Sequence, residues 1–241
     1  MVLRELRKPK DAVLCIGQPA HALLAGRLAR AWGNGLFPAP WPREEVVLAA
    51  EQHDLGMAGW DAEPELDPET GRPRSFLDMA LETHLELWGR APWLALSQSR
   101  WAGLLVSMHG STLYGRRAGE PGVREFLDAQ AELQRWLVES LGVGAEQAAR
   151  NQRLLAAWDR FSLALCLDRL PETVEAERSL ALTRGAGEGE VRVAPWPFSV
   201  EAVDVSVEGR VLVDRFDDQV AMRDAFHAAP WRTLSWSLRP A

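Results

Sequence analysis

The sequence predicts a mainly α-helical protein with a small antiparallel β unit at its C-terminal end. Three observations carry that expectation. Apolar residues recur at the i, i+3, i+4, i+7 spacing of amphipathic helices from about residue 18 to residue 168. Proline and glycine punctuate this stretch at helix-length intervals. After Pro171 the period changes to two, most clearly in AVDVSVEGRVLV. The expected organisation is a helical unit over residues 1–170 and a β-rich unit over 171–241 packed on it.

Taken in order, Pro19 suits the first turn of a helix that runs to about Trp32 and stops at Gly33-Asn34-Gly35. The connection FPAPWP leads to a second helix from about Arg43 to His53. LGMAGWDAEPELDPETGRPR is too rich in Gly, Pro and acid for regular structure and reads as a long loop leaving directly from His53-Asp54. Ser75 caps a helix to about Trp88, and Pro92 opens another to about Leu113. Further helices follow from about Val123 to Leu141 and from about Ala145 to Leu167. In the C-terminal unit, at roughly 178–239, AVDVSVEGRVLV reads as a hairpin turning at Glu208-Gly209, and SLALT, VRVAPW and TLSWSL supply the other strands.

A chain of 241 residues with 47% hydrophobic and 25% charged residues is composed like an ordinary globular protein able to bury a large core. Its formal charge of −7 excludes a global basic field for nucleic acid or acidic membranes. The cations are almost all arginine, with lysine only at Lys8 and Lys10. Cys15 and Cys166 lie far apart in the apolar runs AVLCIG and LALCLD, the pattern of reduced core thiols. No run approaches the eighteen apolar residues of a membrane span, and the start lacks the apolar core of a signal peptide. These features together predict a cytoplasmic protein with no nucleic-acid or membrane partner. A homo-oligomer is compatible with them.

Chemistry enters through a sparse set of residues. Four of the five histidines, His21, His53, His84 and His109, fall in the helical region. The helical period puts each on an apolar face: His21 with Leu24, Ala25 and Leu28, His53 with Val46, Ala49 and Ala50, His84 with Leu77, Ala80 and Leu81, and His109 with Leu105 and Val106. One such histidine is ordinarily a core residue. Asp159 is different, because it shares a face with Leu155, Ser162 and Cys166, and a buried carboxylate costs several kcal/mol unless a cation or strong donors compensate it. Four inward imidazoles and an inward carboxylate predict convergence on a divalent metal, whose ordinary protein ligands these are.

The ordered set of His21, His53-Asp54 followed by Leu55-Gly56, His84, His109 and a late helical Asp159 resembles the HD superfamily of metal-dependent phosphohydrolases. QPAHALLAG and AAEQHDLGMAGWD carry most of the likeness, which covers about residues 18–168 and points to a bacterial branch. The resemblance implies an HD-like helical bundle. It also implies a first metal held by His21, His53, Asp54 and Asp159, with Asp54 bridging to a second held by His84 and His109. Asp54, His84 and His109 would then flank the reacting water. The implied cofactor is Mn, Fe or Zn, as one ion or two. The implied activity is hydrolysis of a phosphomonoester or phosphodiester, with a diiron oxygenase or a non-catalytic metal-bearing binding protein as alternatives.

Around this set, Gln18, Arg27, Trp60 and Asp61 are candidates for substrate contact. The ordinary readings are a helix cap for Gln18, a solvated surface cation for Arg27, a loop anchor for Trp60 and a solvated acid for Asp61. Arg100 and Arg117 read as surface cations, Asn151 as a surface amide and His227 as a surface residue.

Overall fold

The computed structural model describes residues 1–6 and 12–241, so Lys8 and Lys10 lie outside the described residues. Its helices follow the apolar stripes closely. They are α1 (Gln18–Ala31), α2 (Arg43–Gln52), a short α3 (Ala58–Ala62), α4 (Leu81–Leu96), α5 (Arg100–Tyr114), α6 (Val123–Leu141), α7 (Ala145–Cys166) and α8 (Gln219–Ala228). The strands are β1 (Val2–Glu5), β2 (Val13–Ile16), β3 (Leu66–Asp67), β4 (Arg72–Pro73), β5 (Glu172–Glu175), β6 (Ser179–Arg184), β7 (Glu190–Ala194), β8 (Val203–Leu212) and β9 (Trp231–Pro240).

The protein is therefore mixed α/β, not mainly α. Seven strands form one strongly curled sheet in the order β1-β2-β8-β9-β7-β6-β5. All neighbours are antiparallel except β7 and β9. The sheet takes strands from both ends of the chain, since β2 pairs with β8 through Val13↔Leu212 and Cys15↔Arg210. β2 escapes a pattern-based reading because all four of its residues are buried. Leu14 and Ile16 face the main core with the helices, while Val13 and Cys15 face a smaller core closed by Met222 and Phe226 of α8. A strand covered on both faces shows no alternation.

Three local expectations are corrected. AVDVSVEGRVLV is not a hairpin: β8 runs straight through Gly209, which pairs with Arg232 of β9. A Cβ at Gly209 would lie 2.7 Å from the Cys15 carbonyl, so this glycine serves a close backbone approach. Pro92 does not start a helix but lies inside α4; the next helix begins at Arg100, capped by the Ser99 hydroxyl. The loop after Asp54 is partly ordered, holding α3 and the β3-β4 ladder. Among the described residues no helix is long and apolar enough to cross a membrane.

The main core joins the helices to one face of the sheet. Trp32, Trp158, Phe161 and Phe198 are fully buried at its centre, with edge-to-face contacts of Trp32 to Trp158 and to Phe198, each at 5.8 Å. Packing of α1 against α2, α7 and β8, and of α5 against α2, α4 and α7, fixes the faces that carry the histidines.

Candidate metal centre

Five of the six expected side chains converge between α1, α2, α5 and α7. His21 stands in the first turn of α1, its amide bonded to the Gly17 carbonyl. His53 caps the C-terminal end of α2, and Asp54 follows it in the bridge region of backbone space (φ −103°, ψ 15°), which turns the carboxylate back into the fold.

The hydrogen bonds of the two imidazoles decide which nitrogens face inward. His53 Nδ1 lies 2.8 Å from the Ala50 carbonyl, which only accepts, so Nδ1 carries the hydrogen. Its Nε2 is buried without a hydrogen-bond partner and faces Asp159 Oδ1 at 3.4 Å and Asp54 Oδ2 at 3.7 Å. His21 Nδ1 donates to Ser162 Oγ at 2.9 Å, because that hydroxyl spends its own hydrogen on the Asp159 carbonyl at 2.8 Å. His21 Nε2 is thereby left facing Asp54 Oδ2 at 2.5 Å. Two ring nitrogens thus turn their lone-pair positions toward two carboxylates in a buried space.

Such a group requires positive charge at its centre. Burial opposes a charged His53 ring, yet Asp54 and Asp159 outweigh it and hold the ring up to about 9. Burial also favours protonated carboxyls, yet His53 and His21 hold Asp54 below the usual carboxylate range, and His53 and His109 do the same to Asp159. The proton that these carboxylates hold on His53 stands where a cation would. The donor set suits a transition metal, and the partners of Nδ1 on both rings are those that orient metal-bound histidines. Ligand atoms of His21, His53 and Asp159 all lie within 4.8 Å of one another, a group able to hold one metal ion, with Asp54 adjoining it.

His109 joins the cluster in a different way. Its Nε2 lies 3.6 Å from Asp159 Oδ2, its ring meets His53 edge-on at 5.2 Å, and the Trp88 indole covers it at 5.5 Å. The Gln152 amide approaches its Nδ1 at 3.3 Å, and burial pushes the ring down to about 4, so it is neutral near pH 7. His84 stands apart. It is half-buried, its ring meets Tyr114 at 6.1 Å, and burial lowers its pKa. It feels the charge of Asp54, but among the described residues no hydrogen bond or ion pair joins it to the other five.

The remaining candidates are placed as follows. Gln18 opens α1, nearly fully buried, with its backbone N–H donating to the Asp61 carboxylate and its side-chain Oε1 unpartnered. Asp61 is buried rather than solvated, 2.7 Å from the Met1 amino group. Trp60 packs on the smaller core, its indole N–H buried without a partner. Arg27 donates to Ser206, Arg100 to Ser140 and Arg117 to Glu120, so none of these three reaches the centre. Asn151 is not a surface amide; it is fully buried and donates to the Trp41 carbonyl at 2.8 Å. Sequence reasoning missed Ser162 and Gln152 as partners of the histidines. Both carry a signal, since they lie at i+3 and i−7 from Asp159 on one face of α7.

One protein-family model matches residues 1–214. The chain belongs to DUF3891. That family is described as a protein of unknown function, and membership in DUF3891 together with the seven-stranded sheet overturns the resemblance to the HD superfamily and its helical bundle. No curated protein and no solved structure matches the chain. What DUF3891 does must therefore be argued from its buried histidines and carboxylates.

Proposed function

We propose that the protein is a metal-dependent hydrolase of a small phosphodiester, with one divalent transition metal held by His21, His53, Asp54 and Asp159. The observation that carries this reading is His53 Nε2, a buried nitrogen without a partner whose sister nitrogen is committed to Ala50, aimed at two carboxylates. A bound ion of this kind supplies Lewis acidity and lowers the pKa of a coordinated water toward neutrality.

The chain's own residues define the rest. Ser162 and the Ala50 carbonyl fix the ring orientations of His21 and His53. Asp159 is the most exposed of the four, at 14%, so substrate and water approach over its carboxylate. His109, whose Nδ1 faces the donating Gln152 amide, turns its Nε2 toward Asp159 Oδ2 at 3.6 Å and so helps to orient that carboxylate. The site brings two carboxylates, and among the described residues the candidate cations Arg27, Arg100 and Arg117 are engaged elsewhere. That charge balance favours a singly charged diester over a dianionic monoester.

The test combines metal analysis of protein purified without chelator with turnover of a phosphodiester panel, in air and without oxygen. Stoichiometric metal and oxygen-independent cleavage are expected. Tightly bound iron with turnover that consumes oxygen would replace hydrolysis by oxidation, and protein that neither holds nor responds to Mn²⁺, Fe²⁺ or Zn²⁺ would remove the reading altogether.

A further inference from the structure

Helices α4 and α6 both pack on α5 but touch each other little, leaving a trough between them. Phe126 of its lining packs closely on Gly110 of α5, where a Cβ would meet Phe126 at 3.3 Å and Trp88 at 3.2 Å. The trough has a volume of about 1100 Å³ and an apolar lining that includes Leu81, Leu85, Phe126 and Leu133. Trp93 and Trp136 border it, 58% and 51% exposed. Gly89 leaves a gap in the α4 side, since a Cβ there would touch nothing.

Charge and shape narrow the occupant. Glu82, Glu86 and Glu132 line the trough, with no arginine or lysine among its lining residues; Glu86 has Arg90 as a neighbour, and both are well exposed. From Leu81 to Trp93 the α4 side is about 18 Å long at 1.5 Å per residue, the length of three helical turns. Two helical walls, an apolar lining and exposed tryptophans form the kind of groove into which an amphipathic helix lays its apolar face. The acidic lining and the net charge of −7 disfavour a second copy of this chain and favour a basic partner.

We propose that this trough docks a positively charged amphipathic helix of a partner protein. The probe is an 18-residue peptide of leucine and lysine with leucine at i, i+3, i+4 and i+7, titrated against the full chain while tryptophan fluorescence is followed. Saturable binding is expected, weakened at least tenfold in Glu82→Gln/Glu86→Gln/Glu132→Gln and lost in Gly89→Leu, which fills the gap with a better helix former. Trp136→Ala, at a position 51% exposed, gives a second reading and should also weaken binding. A peptide of the same composition with scattered leucines, and a leucine–glutamate version, should not bind. Equal binding of either control, unchanged binding in Gly89→Leu and Trp136→Ala, or no binding at all would overturn the proposal. So would saturation by a small alkylammonium ion with no response to the peptide.

Discussion

Helix α5 borders two buried polar clusters that behave in opposite ways. On one side Ser107 donates to Gln130 Oε1 at 2.7 Å, and Gln134 donates to Ser107 at 3.0 Å and to Ser111 at 2.9 Å. That cluster is neutral and closes its hydrogen bonds on itself. On the other side His109 joins His53, His21, Asp54 and Asp159, where charges face inward and His53 Nε2 has no hydrogen-bond partner. A satisfied buried network specifies a packing arrangement, whereas an unsatisfied one that persists marks where something else must bind. The difference separates a structural device from a candidate site on one helix.

Substitutions at the two clusters should therefore separate cleanly. The largest effect is expected from Asp54→Ala, which removes the carboxylate facing both His21 and His53: bound metal, measured by elemental analysis after dialysis, should fall to background. In the unsubstituted protein, ion at one hundred times its Kd stabilises by about 2.7 kcal/mol. Chelation should then lower Tm by about 5–10 °C for a chain of this size, and Asp54→Ala should show no such response. Melting curves of the unsubstituted protein that chelator leaves unmoved would break the distinction between the clusters.

Ser162→Ala tests the support of the centre rather than the centre itself. Freed from its Nδ1 partner, His21 should bind metal with affinity lowered by about 10–100-fold, read by competition with a coloured chelator. Unaltered affinity would show that Ser162 does not orient the ring. Gln130→Leu should do the converse, costing about 1–3 kcal/mol in denaturant unfolding through the stranded Ser107 hydroxyl, with metal content unchanged.

The smallest effect concerns the two thiols. Burial pushes Cys15 and Cys166 up to about 12. The folded state therefore holds their protons above the pKa of about 8.5 that unfolded thiols have. Folding stability from this source is complete below about pH 8.5 and is lost progressively as pH rises toward 12. Alkylation at pH 8 should need unfolding, and rapid labelling of native protein would contradict the burial of both residues.

The site was legible to the extent that helices advertise their faces. His21, His53, His109 and Asp159 each sit in a 3.6-residue pattern among apolar neighbours, and the structure brings those faces together with Asp54. His84 obeys the same pattern but lies at the edge, because periodicity fixes a face and not how deeply its helix is buried. Much of the sheet was not legible. VLCI is covered on both sides and shows no period, Gly209 imitates a turn while serving a close approach to Cys15, and α8 presents only Met222 and Phe226 as fully buried residues. These failures share a cause: the deciding contacts are made with chain remote in sequence. The likeness to a helical superfamily failed on the same ground: the ligand pattern and the C-terminal strands β6, β7, β8 and β9 were visible, but the N-terminal strands β1 and β2 that join them in one sheet were not.

The pairing of β2 with β8 carries a consequence for how the protein is made. Val13 must wait for Leu212, about 200 residues later, before its strand has a neighbour on that side. At a synthesis rate of about 5–20 residues per second, the apolar VLCI segment spends about 10–40 s off the ribosome without its final cover. During that interval it presents an unpaired edge to other nascent chains, so yield in the cell should depend on holdase capacity more than on the stability of the finished fold.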